Sequence, residues 1–258
     1  MLIVEDVSVA LGRRPVLRDV SLTARPGTLT AIVGPNGSGK TTLMRAMTGE
    51  VACQGKISLN GLDVARAKAW QLAGIRAVMA QETQLAFPFT VLEVIQLGLS
   101  MGQHAENRDL PQRALAEVDL LQYASRNYQD LSGGERQRVQ LARALVQVWN
   151  PVADGAARWL FLDEPVASLD LGHQLQVMRL ARRFADAGGG VIAVMHDLNL
   201  SAMFADRLAL LSKGSLVAAG TPEAVLTDAQ LSSAYGCPIR TNALPASGTW
   251  LLPQAVAG

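Results

Sequence analysis

Short apolar stretches punctuated by glycine and proline open the chain. Apolar and polar residues alternate from Ile3 to Val9, and further apolar segments run from Val20 to Thr23 and from Leu29 to Val33, with Gly12, Pro15, Pro26 and Gly27 between them. A period of two bounded by turn residues predicts strands. The third segment leads into a glycine-rich turn and a helical stretch from Lys40 to about Thr48, closed by Gly49, which predicts the start of a βαβ arrangement.

From about residue 83 to 150 the pattern becomes helical. Thr90-Val91-Leu92-Glu93 and Ser132-Gly133-Gly134-Glu135 each place a hydroxyl and a carboxylate three residues apart, where they can satisfy one another's free backbone N–H groups at a helix start. Beyond this block, apolar runs at Trp159 to Leu162, Val191 to Met195 and Leu208 to Leu211 alternate with helical segments near 171–187 and 198–205. Runs of that length fit parallel strands buried on both faces. One domain, 1–258, is expected: an α/β core from 1–82 and 151–258, interrupted by a helical lobe at about 83–150.

Composition narrows the class. The 258 residues carry 23 Lys plus Arg against 22 Asp plus Glu, a net charge of +1, which argues against a nucleic-acid partner or a polybasic membrane binder. Hydrophobic residues at 49% suffice for a large core. Cys53 and Cys237 are far apart and lack metal-ligand spacing, so they predict two small buried hydrophobes in a reducing compartment. The first residues lack the basic and apolar runs of a signal peptide, and no stretch reaches the ~18 apolar residues of a spanning helix, so a cytoplasmic chain is expected.

Gly34-Pro35-Asn36-Gly37-Ser38-Gly39-Lys40-Thr41 satisfies the phosphate-loop pattern. Its glycines let backbone N–H groups close on phosphate oxygens at the positive end of the following helix; Lys40 would reach the β- and γ-phosphates and Thr41 would bind Mg²⁺. Trp159 to Leu162 ends in Asp163 and Glu164. Successive strand side chains point to opposite faces, so the two carboxylates can take separate roles, Asp163 in the Mg²⁺ shell and Glu164 as a general base for the attacking water. In Leu131-Ser132-Gly133-Gly134-Glu135-Arg136-Gln137, the Ser132 hydroxyl and the N–H groups of Gly133 and Gly134 can form an anion site for a γ-phosphate as well as a helix cap.

With this last motif the sequence resembles the ATP-binding subunit of ATP-binding cassette (ABC) transporters, and the resemblance covers almost the whole chain. It implies a P-loop NTPase fold, with a RecA-like parallel-sheet core, an antiparallel β subdomain and an inserted α-helical lobe. It implies ATP and Mg²⁺ as ligands, with Gly34, Asn36, Gly37, Ser38, Gly39, Lys40, Thr41 and Thr42 contacting nucleotide. Gln81 would contact Mg²⁺ or the attacking water, and His196 would be the switch histidine beside the γ-phosphate. Ser168-Leu169-Asp170 would cross a dimer interface. The signature of one protomer then faces the phosphate loop of another, so a chain with one of each needs a second copy in a head-to-tail homodimer. His104 and His173 lack such context and are expected to be solvated.

Two departures from the family stand out. No aromatic residue occurs near Leu11 to stack on adenine, which leaves aliphatic contact or Arg13 and implies weak base discrimination. The interval from Leu131 to Asp163 is longer than usual, the extra material being Trp149 to Gly155. That interval, with Gln140 to Trp149, Phe87-Pro88-Phe89-Thr90-Val91 and His196-Asp197-Leu198-Asn199-Leu200, resembles the haemin-importer branch of the iron-chelate and vitamin B12 uptake group. The implied partners are an integral membrane permease dimer, met by exposed apolar residues between Gln81 and Val94, and indirectly a periplasmic haem-binding protein. The chain would sit peripherally on the cytoplasmic face of the inner membrane. Packing of Phe87 and Phe89 into the lobe remains an alternative. Ferric siderophore, vitamin B12 or another metal chelate also remains open as cargo. Non-transport cassette proteins of translation or repair usually carry two cassettes or long insertions, and a non-hydrolysing scaffold would lack Glu164 or His196.

Overall fold

Strands β1 (Leu2–Leu11) and β2 (Arg14–Ala24) pair as an antiparallel hairpin in the computed structural model, which describes residues 1–80, 87–102, 106–244, 247–249 and 253. The alternation expected from Ile3 to Val9 is interrupted. The register shifts between Val4 and Val7, where Asp6 takes φ 50°, so Leu2, Val4, Val7 and Val9 form the buried set. A bulge adds one residue and resets the period of two.

Strand β3 (Leu29–Val33) feeds the phosphate loop and α1 (Lys40–Met47). Next, β4 (Gln54–Leu59) and β5 (Leu62–Asp63) extend the hairpin into an antiparallel sheet of order β2-β1-β4-β5. Helix α2 (Ala69–Ala73) and strand β6 (Arg76–Met79) follow. The helical layer comprises α3 (Val91–Met101), α4 (Leu110–Glu117) and α5 (Gly133–Gln147). Both expected capping boxes form: Thr90 N donates to Glu93 Oε2 at 2.7 Å and Ser132 N to Glu135 Oε2 at 2.8 Å. The Glu93 and Glu135 amides return the bond to the hydroxyls, each at 3.3 Å.

The extra material after Trp149 is a small hairpin of β7 (Val152–Ala153) and β8 (Ala156–Ala157). Asp154 and Gly155 at its turn take φ 52° and 72°, the left-handed pair that a two-residue hairpin turn requires. The chain then alternates β9 (Trp159–Asp163), α6 (Leu171–Asp186), β10 (Gly190–Val194), α7 (Leu198–Phe204) and β11 (Arg207–Ser212). It continues through β12 (Ser215–Gly220), α8 (Pro222–Val225) and α9 (Asp228–Tyr235).

The main sheet has the order β12-β11-β3-β10-β9-β6, parallel except for β12. Its central strands are apolar throughout because both faces are covered. Leu29, Ala31, Val33, Leu160 and Leu162 join the core under the helical layer, while Ile32, Phe161, Ile192 and Val194 pack toward α1 and the antiparallel sheet. In register, Val194 pairs with Ile32 on one side and Asp163 on the other. The carboxyl ends of β3, β10 and β9 therefore finish together, where ligands bind in open parallel sheets.

The cysteines differ from the expected buried pair: Cys53 is half-buried and Cys237 exposed. Cys237 follows the left-handed Gly236 that closes α9, so it lies past the last helix rather than on a core-facing stripe. Among the described residues no helix is long and apolar enough to cross a membrane.

Candidate functional site

The phosphate loop turns sharply between β3 and α1. Gly34 has φ 147°, and an added Cβ would run into the backbone carbonyl oxygen of Leu211, so glycine is required there. Lys40 is only 5% exposed, and its Nζ donates to the carbonyls of Gly34 and Pro35 at 2.9 and 3.2 Å. Burial lowers the Lys40 pKa, while the Glu164 and Asp163 carboxylates oppose that shift. Ser38 Oγ is buried in the same loop without a hydrogen-bond partner. An unpaired donor beside a buried ammonium suits an anionic ligand.

Asp163 closes β9 and accepts a hydrogen bond from Thr41 Oγ1 at 3.3 Å. Burial pushes its carboxyl up to about 6; the Thr41 hydrogen bond opposes this, Glu164 and Glu50 reinforce it, and Lys40 opposes it. Glu164, the first residue past β9, points elsewhere: its Oε1 lies 2.6 Å from Nε2 of His196, which follows β10. Glu164 also has φ 52°, a left-handed conformation uncommon for a residue with a Cβ, and its N–H donates to the Val194 carbonyl at 3.1 Å. Asn36, Gly37, Lys40, Thr41, Glu164 and His196 all line one cavity of about 1330 Å³.

Leu11, Arg14, Val16 and Arg18 also line that cavity; of the two expected kinds of base contact, Leu11 and Val16 offer the aliphatic one, whereas Arg13 is not among the lining residues. Arg13 sits in the turn between β1 and β2, and the register of β2 shifts between Pro15 and Leu17 and again before Val20, so simple alternation does not foretell which of its side chains reach the cavity. No Phe, Tyr or Trp is among the described lining residues. Lys213 lines it too, from the β11–β12 turn, where Gly214 N donates to the Ser38 carbonyl at 3.1 Å and Arg18 N donates to the Gly214 carbonyl at 2.8 Å.

Ser132, Gly133 and Gly134, at the start of α5, do not line this cavity. Ser132 and Gly133 are exposed, and Gly134 abuts the Ser168 carbonyl of the next loop. Asp170 in that loop caps α6, accepting from His173 N at 3.0 Å. His173 is accordingly paired rather than merely solvated: Nδ1 lies 2.9 Å from Asp170 Oδ2, because a first-turn residue three positions after the cap faces it. Gln81 and His104 lie outside the described residues. Of the apolar pair before α3, Phe87 is exposed whereas Phe89 packs against the core, edge-on to Phe87 with ring centroids 6.2 Å apart.

The sequence pattern of the ABC transporter family matches residues 17–167, a span that holds the phosphate loop, the Ser132 motif and the Asp163-Glu164 pair. The chain is 59% identical over 251 residues to the hemin import ATP-binding protein HmuV of Roseobacter denitrificans, across 97% of this chain and 96% of that protein. It is also 59% identical over 255 residues to the hemin import ATP-binding protein HmuV of Jannaschia sp., across 98% and 94%. Its fold matches a solved dimeric post-hydrolysis state of an ATP-binding cassette bound to ADP and phosphate, with a TM-score of 0.74 at 24% identity, covering 86% of this chain and 99% of that one. With its family pattern laid over a phosphate loop and two adjacent carboxylates at the end of one parallel strand, this chain belongs to the ABC transporter family.

Proposed function

We propose that this chain is the ATP-hydrolysing subunit of an ABC importer and that it energises uptake of haemin across the cytoplasmic membrane. The observation that carries the ATPase reading is the Glu164–His196 contact on the wall of the cavity that the phosphate loop also lines. Similarity to hemin import ATP-binding proteins over nearly the full chain supports the cargo.

In this reading the loop N–H groups, the Lys40 ammonium and the positive end of α1 hold the β- and γ-phosphates of ATP. Thr41 and Asp163 offer hard oxygen donors 3.3 Å apart at that position, a set that fits Mg²⁺, with Gln81 as a further donor. Bound Mg²⁺ supplies neutralisation of charge on the phosphate oxygens. Glu164 orients the attacking water and accepts its proton. His196 fixes the Glu164 carboxylate and meets the γ-phosphate.

Because Ser132, Gly133 and Gly134 stand outside their own chain's cavity, they complete the site of a second copy in a head-to-tail homodimer. ATP bridges the two chains; hydrolysis removes the γ-phosphate contact and reopens them, a differential interaction sufficient for a switch. The division into a core of 1–82 and 151–258 and a lobe of about 83–150 allows the two parts of each site to move relative to one another.

The proposed membrane partner is a permease dimer, with the chain peripheral on the cytoplasmic face of the inner membrane and a periplasmic haem-binding protein feeding the permease. Exposed Phe87, Trp70, Leu97 and Met101 support such a docking surface. Met101 also lines a cleft of about 220 Å³ with Ala69, Ala73 and Gly98, between α2 and α3.

Growth of a deletion strain on haemin or on a ferric siderophore as sole iron source tests the whole reading. Failure on haemin alone, rescued by the wild-type gene but not by Glu164→Gln, is the expected result. Normal growth on haemin with failure on another chelate removes the cargo and keeps the motor; rescue by Glu164→Gln removes the motor.

A further inference from the structure

Gln137 lies one turn into α5 and reaches out of its own helix. Its Nε2 donates to the backbone carbonyl of Glu164 at 2.6 Å, and its Oε1 accepts from the backbone N–H of Ser168 at 3.2 Å. One side-chain amide thus holds both ends of the loop that joins β9 to the segment before α6. The Glu164 end is the residue held at φ 52°. A non-glycine residue keeps such a conformation only where its surroundings over-determine it. Gln137 is one of those surroundings; the Ala167 N–H, which donates to the same carbonyl at 3.3 Å, is another.

We propose that Gln137 is a positioning residue that ties the Ser132–Gly134 end of α5 to the backbone of Glu164 and to the loop at Ser168, so that a displacement of α5 moves the carboxylate. The inference rests on the reading of Glu164 as the base. Gln137 stands one helical turn from Gly134, and a helix turn is stiff, so a shift of the α5 start is felt at the amide. The amide must donate to a carbonyl and accept from an N–H at once. Gln does both; Glu when ionised only accepts, and Leu or Met does neither. Gln137 touches no reacting atom. Its effect appears as misplacement of Glu164, and misplacement near 1 Å from a remote change costs up to about a hundredfold in rate.

The test compares Gln137→Met and Gln137→Glu with wild type and with Glu164→Gln, measuring kcat, KM for ATP, the Kd of a fluorescent ATP analogue and thermal midpoints. The expected result is a fall in kcat of about tenfold to a hundredfold in both Gln137 variants, with Kd unchanged within about twofold. A purely structural role would instead lower the midpoint and weaken binding with kcat per folded molecule retained. Should Gln137→Met fold poorly, Gln137→Glu keeps a polar side chain of the same length and carries the comparison. Wild-type kcat in a folded Gln137 variant, with Glu164→Gln inactive, overturns the coupling and leaves Glu164 as base. Wild-type kcat in Glu164→Gln overturns the assignment of the base, and the coupling with it.

Discussion

His196 Nε2 meets Glu164 Oε1 at 2.6 Å, joining the residues that follow two neighbouring parallel strands. A basic ring nitrogen beside a carboxylate on a nucleotide-sized cavity wall fixes that carboxylate in one direction. Glu164→Gln keeps the shape and removes the basicity. The variant should bind ATP, accumulate a closed dimer on size exclusion and lose at least about a hundredfold in phosphate release. A rate near wild type would mean that another group takes the proton.

Lys40 is buried in the loop and donates to two of its carbonyls, so Lys40→Ala removes both a charge and a brace. Titration with a fluorescent ATP analogue should show loss of binding, with the circular dichroism spectrum retained. Retained affinity would separate the phosphates from this loop.

Ser132 is exposed at the start of α5 and outside its own chain's cavity. Ser132→Arg removes the capping hydroxyl and puts a bulky cation at the positive end of a helix, where it is electrostatically disfavoured and fills the space a partner's phosphate would take. In the Glu164→Gln background it should abolish the ATP-dependent dimer seen by light scattering. A tight dimer in that double variant argues against the head-to-tail arrangement.

The cavity is lined by Arg14, Val16 and Arg18 and, among the described residues, by no aromatic ring. Guanidinium groups stack on either purine without selecting between them. GTP should therefore support at least a tenth of the ATP turnover rate. A lower ratio would show that the base is selected by other contacts.

Thr90, directly after Phe89, caps α3 by accepting from the Glu93 N–H. Thr90→Ala should lower the unfolding free energy by about 1 kcal/mol, read as a shift in the urea midpoint at unchanged slope. Thr90→Ser should restore most of it. No shift would mean that the cap contributes little to the lobe.

The sequence by itself determined the features whose physics is local. Gly34 to Thr41 encodes a loop whose backbone cannot carry a Cβ at its first glycine, and Thr90-Glu93 and Ser132-Glu135 encode helix starts that close within four residues. Strands such as Trp159–Asp163 and Gly190–Val194 are legible because burial on both faces writes an uninterrupted apolar run. The elements β5 and β6 and the Asp154-Gly155 hairpin are too brief for a period to show, although Asp-Gly is itself a hairpin signal, and β4 is polar and exposed over its first half, so it writes neither an apolar run nor a clear alternation. Only the tertiary structure decided which residues meet. Thr41 reaches Asp163 because β3 and β9 both flank β10, Gln137 reaches Glu164 and Ser168 because α5 lies along the loop after β9, and Arg14 rather than Arg13 lines the cavity because Arg13 sits in the hairpin turn and Arg14 begins β2. Local propensity carries no information about strand order or helix docking; those follow from burying both faces of one sheet at once.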